Sequence, residues 1–278
     1  MSLPRRAFIK TCLAAGVGVA TSGAAYGYFY GRSALNVTRV TVPVFDLPPG
    51  LMGLRVGLLT DLHCSEFVSP DAIVRAADLL RAAAPDLIVL GGDYVTWADR
   101  QYIGPAAEAL DGLSAPHGVF AVLGNHDDDR DVPAALTRHG CEVLKDARSE
   151  RLVAGEKLSI VGIRFWTRRQ SSISSLVRSA SGTVLLLAHD PRRIVEAAQL
   201  DVPLVLSGHT HGGQVVLPVV GAVAARKFPV ASGLLRQQRT TMFVSRGLGT
   251  VYVPIRINCP PEVAILTLTS SEAHRSTS

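Results

Sequence analysis

Leu54-Arg55-Val56-Gly57-Leu58-Leu59-Thr60-Asp61-Leu62-His63 is the stretch on which the reading of this chain turns. Its short, uninterrupted apolar run reads as a strand buried on both faces, and the run leads directly into a carboxylate and an imidazole, two groups that ligate metals. Residues 70–84 follow with Ile73, Ala77, Leu80 and Ala84 at helical spacing, opened by Ser69-Pro70-Asp71 as cap and first turn. Leu87-Ile88-Val89-Leu90, a helix near 103–112 and Val119-Phe120-Ala121-Val122-Leu123 continue the pattern. Strand, helix, strand, helix, strand predicts an α/β fold with a parallel sheet covered on its faces.

The second half repeats the theme less regularly. Strands are expected at 158–163, 184–187 and 204–206, and helices near 171–180 and 191–200. After residue 213 the texture changes to strands and turns, at 214–217, 242–245 and 263–268. The expectation is one body over 50–269, preceded by a connecting segment at 32–49 and followed by a frayed polar tail at 270–278.

Five of the expected strands end in residues that bind metals. The first runs into Asp61-x-His63, the second into Gly92-Asp93, and the third into Gly124-Asn125-His126-Asp127. The strand at 184–187 ends at His189, and that at 204–206 at Gly208-His209-Thr210-His211. In open α/β sheets, sites form at the carboxyl ends of the strands, so five segments are delivered to one edge. Oxygen and nitrogen donors without thiolate favour Mn, Fe or Zn over a structural cysteine-rich zinc site. One ion would not use so many donors, whereas two ions about 3.5–4 Å apart sharing a carboxylate would.

D-x-H, G-D, G-N-H-D, a lone His and G-H-x-H, in that order, resemble the calcineurin-like metallophosphoesterase superfamily. The exported bacterial phosphodiesterase branch is the nearest in pattern, through G-H-T-H-G-G-Q, Ser245-Arg246-Gly247-Leu248-Gly249 and Asn258-Cys259-Pro260-Pro261-Glu262. The resemblance implies a sandwich of two mixed β-sheets flanked by α-helices, with the metal site at the C-terminal strand edge. It implies that Asp61, His63 and His211 hold one ion, that Asn125, His189 and His209 hold a second, and that Asp93 bridges them. A hydroxide between the ions would attack phosphorus, and His126 would stabilise the phosphoryl oxygens or protonate the departing alkoxide. The continuation Tyr94-Val95-Thr96-Trp97 and the form G-N-H-D depart from the Ser/Thr protein phosphatases of the same superfamily.

Other residues are read more plainly. Arg246, beside glycines at a strand end, either receives a substrate phosphate oxygen or makes a structural salt bridge. Asp127 either orients His126 or, the preferred reading, belongs to the solvated acidic run Asp127-Asp128-Asp129, and Cys64 is assigned to the core. Val215 to Leu235, charged only at Arg226 and Lys227 before its last residues, is hairpin core or the wall of a groove for an apolar substrate.

The 278 residues are 47% hydrophobic and 18% charged. Part of that apolar excess lies at the start, where 21 uncharged residues separate Lys10 from Arg32 behind Arg5, Arg6 and Lys10. This order resembles a twin-arginine export signal, so residues 1–31 are expected to be a signal or a membrane anchor, with the body facing away from the cytoplasm. Without that segment the net charge of +5 falls to +2, and no basic run elsewhere forms a nucleic-acid footprint. Cys12, Cys64, Cys141 and Cys259 match no zinc or C-x-x-C spacing. The expected function is hydrolysis of a phosphodiester or pyrophosphate, with lipid-linked and envelope compounds as candidate substrates. A phosphomonoesterase and a non-catalytic binding scaffold on the same fold are the alternatives.

Overall fold

In the computed structural model, which describes residues 17–18, 21–167 and 170–271, the apolar runs of the sequence are strands with both faces covered. In chain order the strands are β1 (Asn36–Phe45), β2 (Arg55–Leu59), β3 (Leu87–Leu90), β4 (Val119–Ala121), β5 (Glu142–Val143), β6 (Ala147–Val153) and β7 (Glu156–Ile163). They continue as β8 (Thr183–Ala188), β9 (Leu204–Ser207), β10 (Val216–Leu217), β11 (Gly221–Ala222), β12 (Gly233–Gln237), β13 (Thr240–Val244) and β14 (Glu262–Ser271). One sheet has the order β1-β14-β2-β3-β4-β5, the other β12-β13-β9-β8-β7-β6, and β10-β11 is a separate small hairpin. Both large sheets are mixed: β14 opposes β2 in the first, while β12 opposes β13 and β6 opposes β7 in the second.

The side-chain period of two explains why continuous apolar runs are needed. Leu87 and Val89 of β3 face Leu185, Leu187, Leu204 and Leu206 of β8 and β9 across the sandwich. The alternate residues Ile88 and Leu90 turn outward to Ile73, Leu80 and Leu136 of helices Pro70–Ala82 and Asp131–Arg138. On the opposite outer face, Leu186 and Val205 meet Ile173 and Ile194 of helices Gln170–Arg178 and Ile194–Gln199. The result is four layers, helix, sheet, sheet, helix, with three apolar interfaces.

The sequence reading differs from the structure at the sheet margins. Residues 36–45 are not a connector: β1 pairs in parallel with β14 from Asn36↔Glu262 to Phe45↔Ser271, and Val42 and Val44 are fully buried. An edge strand with a proline, Pro43, and a half-exposed outer portion lacks the apolar run that marks the central strands. β6 and β12 lack a continuous apolar run as well, since Arg148, Ser149, Glu150 and Arg151 interrupt the first and only Leu234 and Leu235 are apolar in the second. The helix Asp131–Arg138 was also not anticipated.

Arg5, Arg6, Lys10 and Cys12 of the export-signal reading lie outside the described residues, as do 272–278 of the tail. Residues 21–26 are helical and continue as a π-turn at Gly27–Gly31. Arg256 N–H donates to Gly27 O at 3.2 Å, which ties this turn to the body. No helix among the described residues is long and apolar enough to cross a membrane.

Candidate metal centre

Parallel strands end on a common edge, and here both sheets contribute. β2 is followed by Asp61 and His63, β3 by Asp93, β4 by Asn125 and His126, β8 by His189, and β9 by His209 and His211. Backbone bonds join these loops: Asp61 N–H donates to Gly92 O at 2.8 Å, His63 N–H to Asp93 O at 3.0 Å, and Gly208 N–H to His189 O at 3.1 Å. His209 N–H, from the second sheet, donates to the Asp61 carboxylate of the first at 2.9 and 3.1 Å.

Two groups of donor atoms result. Asp61, His63, Asp93 and His211 each offer an atom within 4.8 Å of the others, and so do Asp93, His189 and His209. Asp93 belongs to both groups. His189 Nε2 lies 3.1 Å from Asp93 Oδ2, and His63 Nε2 lies 3.4 Å from the same oxygen. Asn125 lines the cavity beside Asp93 and His209.

The donors fit cations on three counts. His63 Nε2 and His211 Nε2 face each other at 3.1 Å, an arrangement suited to two lone pairs aimed at one ion. Asn125 Oδ1 is buried without a hydrogen-bond partner, and His189 Nε2 meets only carboxylate oxygens, those of Asp93 and Asp61. The other ring nitrogens are already engaged: His189 Nδ1 contacts Gly91 O at 2.8 Å, His211 Nδ1 contacts Gly249 O at 3.3 Å, and His63 Nδ1 contacts Thr96 Oγ1 at 3.1 Å. Outer partners of this kind fix the tautomer and leave Nε2 for metal.

The electrostatics show what the site lacks. Burial raises the Asp61 carboxyl above its ordinary value, against the pull of His189 and His63. Burial also opposes charge on Asp93, yet His189 and His63 hold that carboxyl well below the usual range. Burial disfavours a charged His189, but Asp93 and Asp61 outweigh it and lift the pKa to about 10. Burial, then the neighbouring His189, pushes His209 down to about 3, and burial with His63 takes His211 well below its ordinary value. His189 and Asp93 thus favour each other's charged forms across a 3.1 Å contact.

The backbone is strained where the donors sit. Asp61, His63, Asp93, His209 and His211 all have φ between 49° and 72°, a left-handed conformation that costs L-residues energy and concentrates at functional sites. Asp61 and His63 thus reach the centre from a turn rather than by alternation along an extended strand. The glycines next to the donors matter mainly for space. A Cβ on Gly124 would stand 2.0 Å from Asp93 Oδ1, and one on Gly208 would stand 2.3 Å from Asp61 Oδ2.

His126 occupies a different position. Its backbone N–H donates to Asp93 Oδ1 at 2.9 Å, and its Nδ1 accepts from Trp97 N–H at 3.1 Å. The neutral ring consequently carries its proton on Nε2. Burial lowers its pKa to about 4. The Trp97 ring stacks on it with centroids 4.3 Å apart.

Three neighbours correct or extend the sequence reading. Asp127 is not part of a solvated run: it is buried and accepts from Asp93 N–H at 2.7 Å, Tyr94 N–H at 2.8 Å and Gly124 N–H at 2.9 Å. Arg246 makes a salt bridge, with Nη2 2.7 Å from Glu262 Oε2 and Nε donating to Pro260 O at 3.0 Å, which ties it to the start of β14. Arg256, unremarked in the sequence, is fully buried and donates to the carbonyls of Arg246, Gly249 and Cys259 at 2.8, 2.6 and 3.1 Å, tying the turn at 246–249 to the segment before β14. Cys64 lies in the core as expected.

A cavity of about 540 Å³ opens over the donors. Leu217, Val223, Phe228, Val253 and Ile255 form much of its wall, and Phe228 packs edge-on against His209 with centroids 5.1 Å apart. Val215 to Leu235 thus supplies both cavity wall, through Leu217, Val223 and Phe228, and the strands β10, β11 and part of β12.

Asp127→Asn leaves one oxygen to serve three N–H donors. It should lower stability by about 1–3 kcal/mol and weaken metal retention, as read by denaturant unfolding and elemental analysis. Unchanged stability and metal content would return Asp127 to the surface run.

Comparison with known proteins agrees with this arrangement. The sequence model described as calcineurin-like phosphoesterase matches residues 54–213, which include every donor named above. The uncharacterized metallophosphoesterase YkuE of Bacillus subtilis is 28% identical over 97% of this chain and 99% of its own length. Phosphodiesterase YaeI of Escherichia coli is 32% identical over 77% of this chain and 82% of its own. Among solved structures, the NAD nucleotidase of Haemophilus influenzae superposes with a TM-score of 0.51 at 14% identity, over 70% of this chain and 50% of that one, a likeness of fold. Two mixed sheets flanked by helices, donors gathered at their shared edge, and the match over most of the body make this chain a member of the calcineurin-like phosphoesterase family.

Proposed function

We propose that this protein is a dinuclear metal-dependent hydrolase that cleaves a phosphodiester or pyrophosphate bond, in a lipid-linked or other envelope substrate, on the side of the membrane away from the cytoplasm. The observation that carries the reading is Asp93, a buried carboxylate common to two groups of donors. Asp61, His63 and His211 would hold one ion and Asn125, His189 and His209 the other, with Asp93 between them. Ions of the Mn, Fe or Zn type, when bound there, acidify water to near neutrality and offset charge that develops on phosphoryl oxygens.

The chain's own residues complete the chemistry. With Nδ1 accepting from Trp97, His126 presents a donor N–H at Nε2, suited to a phosphoryl oxygen or the departing alkoxide. The Nδ1 contacts of His63, His189 and His211 keep those rings in place as charge changes. The apolar wall excludes water and favours a substrate with a hydrocarbon portion. The name of the Escherichia coli relative supports a diester over a monoester. The basic, then apolar, start of the sequence supports export and attachment to a membrane through the N-terminal segment.

Purified protein loaded with Mn, Fe or Zn should contain two ions per chain and hydrolyse a chromogenic phosphodiester faster than the corresponding monoester, with activity abolished by chelation. Faster monoester turnover would identify a phosphomonoesterase, and absence of both bound metal and chelator-sensitive turnover would identify a scaffold. His126→Ala should retain both ions while the rate falls by about 10²–10⁴. Loss of an ion in that variant would make His126 a ligand instead.

A further inference from the structure

The mouth of the cavity is ringed by apolar side chains that the fold leaves in water. Tyr252 is 81% exposed and Trp97 64%, and their rings meet with centroids 5.6 Å apart. Leu217 and Val223 line the same cavity and are exposed at the base of the β10-β11 hairpin, whose tip carries the fully exposed Val219. Val253 adjoins Tyr252 on the same rim. Single exposed apolar residues are ordinary, but a contiguous set around one opening marks an interaction surface.

Backbone conformation sets this group apart from loosely folded loop. Trp97, Val219 and Tyr252 have φ of 54°, 67° and 61°. A β-branched residue is especially costly in that region, and Val219 makes no packing gain in return. Three separate loops thus hold large apolar side chains outward at an energetic cost.

Two features of the structure select the occupant. Arg226 and Lys227 are exposed beside the rim, and Lys227 is the one charged side chain lining the cavity apart from Asp93 and the histidines, so the partner surface is apolar and anionic. The apolar N-terminal run also enters the body here. Gly27 packs so closely on Ile255 and Ile257 that a Cβ would lie 2.5 and 2.9 Å from their side chains, and Ile255 is part of the cavity wall. Tyr26, Phe29 and Tyr30 of this segment are exposed. An apolar segment that reaches the body at the cavity brings its opening to whatever that segment contacts.

We infer that this rim is a membrane-docking face: Trp97, Tyr252, Val253 and the Val219 hairpin insert among the acyl chains of an anionic lipid surface, with Arg226 and Lys227 at the headgroups. Aromatic rings at an interface and basic residues beside them are the composition such surfaces recognise. The catalytic cavity then opens into the bilayer interface, so that an amphiphile could enter without crossing water. This inference adds a surface to the proposed hydrolase, and its test reads lipid contact alone, with no turnover required.

The chain contains two tryptophans, so Trp166→Phe in the full-length protein leaves Trp97 as the sole emitter. Vesicles of phosphatidylcholine and phosphatidylglycerol brominated on the acyl chains are the probe. Trp97 emission should shift to the blue and be quenched, whether or not the N-terminal segment itself brings the chain to the vesicle. Val219→Asp should restore water-like, unquenched emission, and misfolding does not account for that result, because Asp is better tolerated than Val at positive φ. Chain that floats with the vesicles while Trp97 remains water-like would confine binding to the N-terminal segment and overturn the inference. A blue shift in the absence of lipid, accompanied by dimerisation in light scattering, would assign the face to a second copy and overturn it equally.

Discussion

Two buried carboxylates without a lysine or arginine partner govern this structure. Asp61 and Asp93 are almost wholly excluded from solvent, and among the described residues their ion-pair partners are all histidines. The nearby arginines are otherwise occupied, Arg246 by Glu262 and Arg256 by backbone carbonyls. Burying an uncompensated carboxylate costs several kcal/mol, so positive charge must come from protonated imidazole or from cations. The carboxylates lift the pKa of His189, whereas burial takes His209 and His211 down, and the Nε2 atoms of His63 and His211 face each other at 3.1 Å across the same small space. That unbalanced charge is the physical reason to read the cluster as a cation centre.

The same residues join the two sheets. Asp61 leaves β2 in the first sheet and accepts from the backbone of His209, which follows β9 in the second. The donors are placed by strand ends whose own positions are set by the intersheet core of Leu187, Leu206 and their partners. Left-handed φ at five donor residues stores strain that this packing sustains. Asp127 takes part in that support by collecting three backbone N–H groups from two loops, its carboxyl oxygens joining the loops that carry Asp93 and Asn125.

Much of this was legible in the sequence, and the reasons differ by residue. The central strands announced themselves because both faces are covered, so every position must be apolar. Asp61, Asp93, His189 and His209 could be placed at one edge because parallel strands end together. The edges were opaque: β1 and β6 are partly wet and alternate, a pattern also shared by loops. Asp127 was misread because a run of three aspartates looks solvated, and nothing local reveals that the first turns inward while Asp129 is exposed. Arg256 gave no signal, since its partners are carbonyls spread over the turn after β13 and the segment before β14. The strain at Asp61 and His63 was equally hidden, because a D-x-H spacing is compatible with both strand and turn.

The account rests on two cation positions flanking one shared carboxylate. Anomalous diffraction from crystals of the metal-loaded protein tests this most directly. It predicts two peaks about 3.5–4 Å apart, on either side of Asp93, one among Asp61, His63 and His211 and the other among Asn125, His189 and His209. A single peak, or peaks away from Asp93 with His189 still turned to its carboxylate, would contradict it.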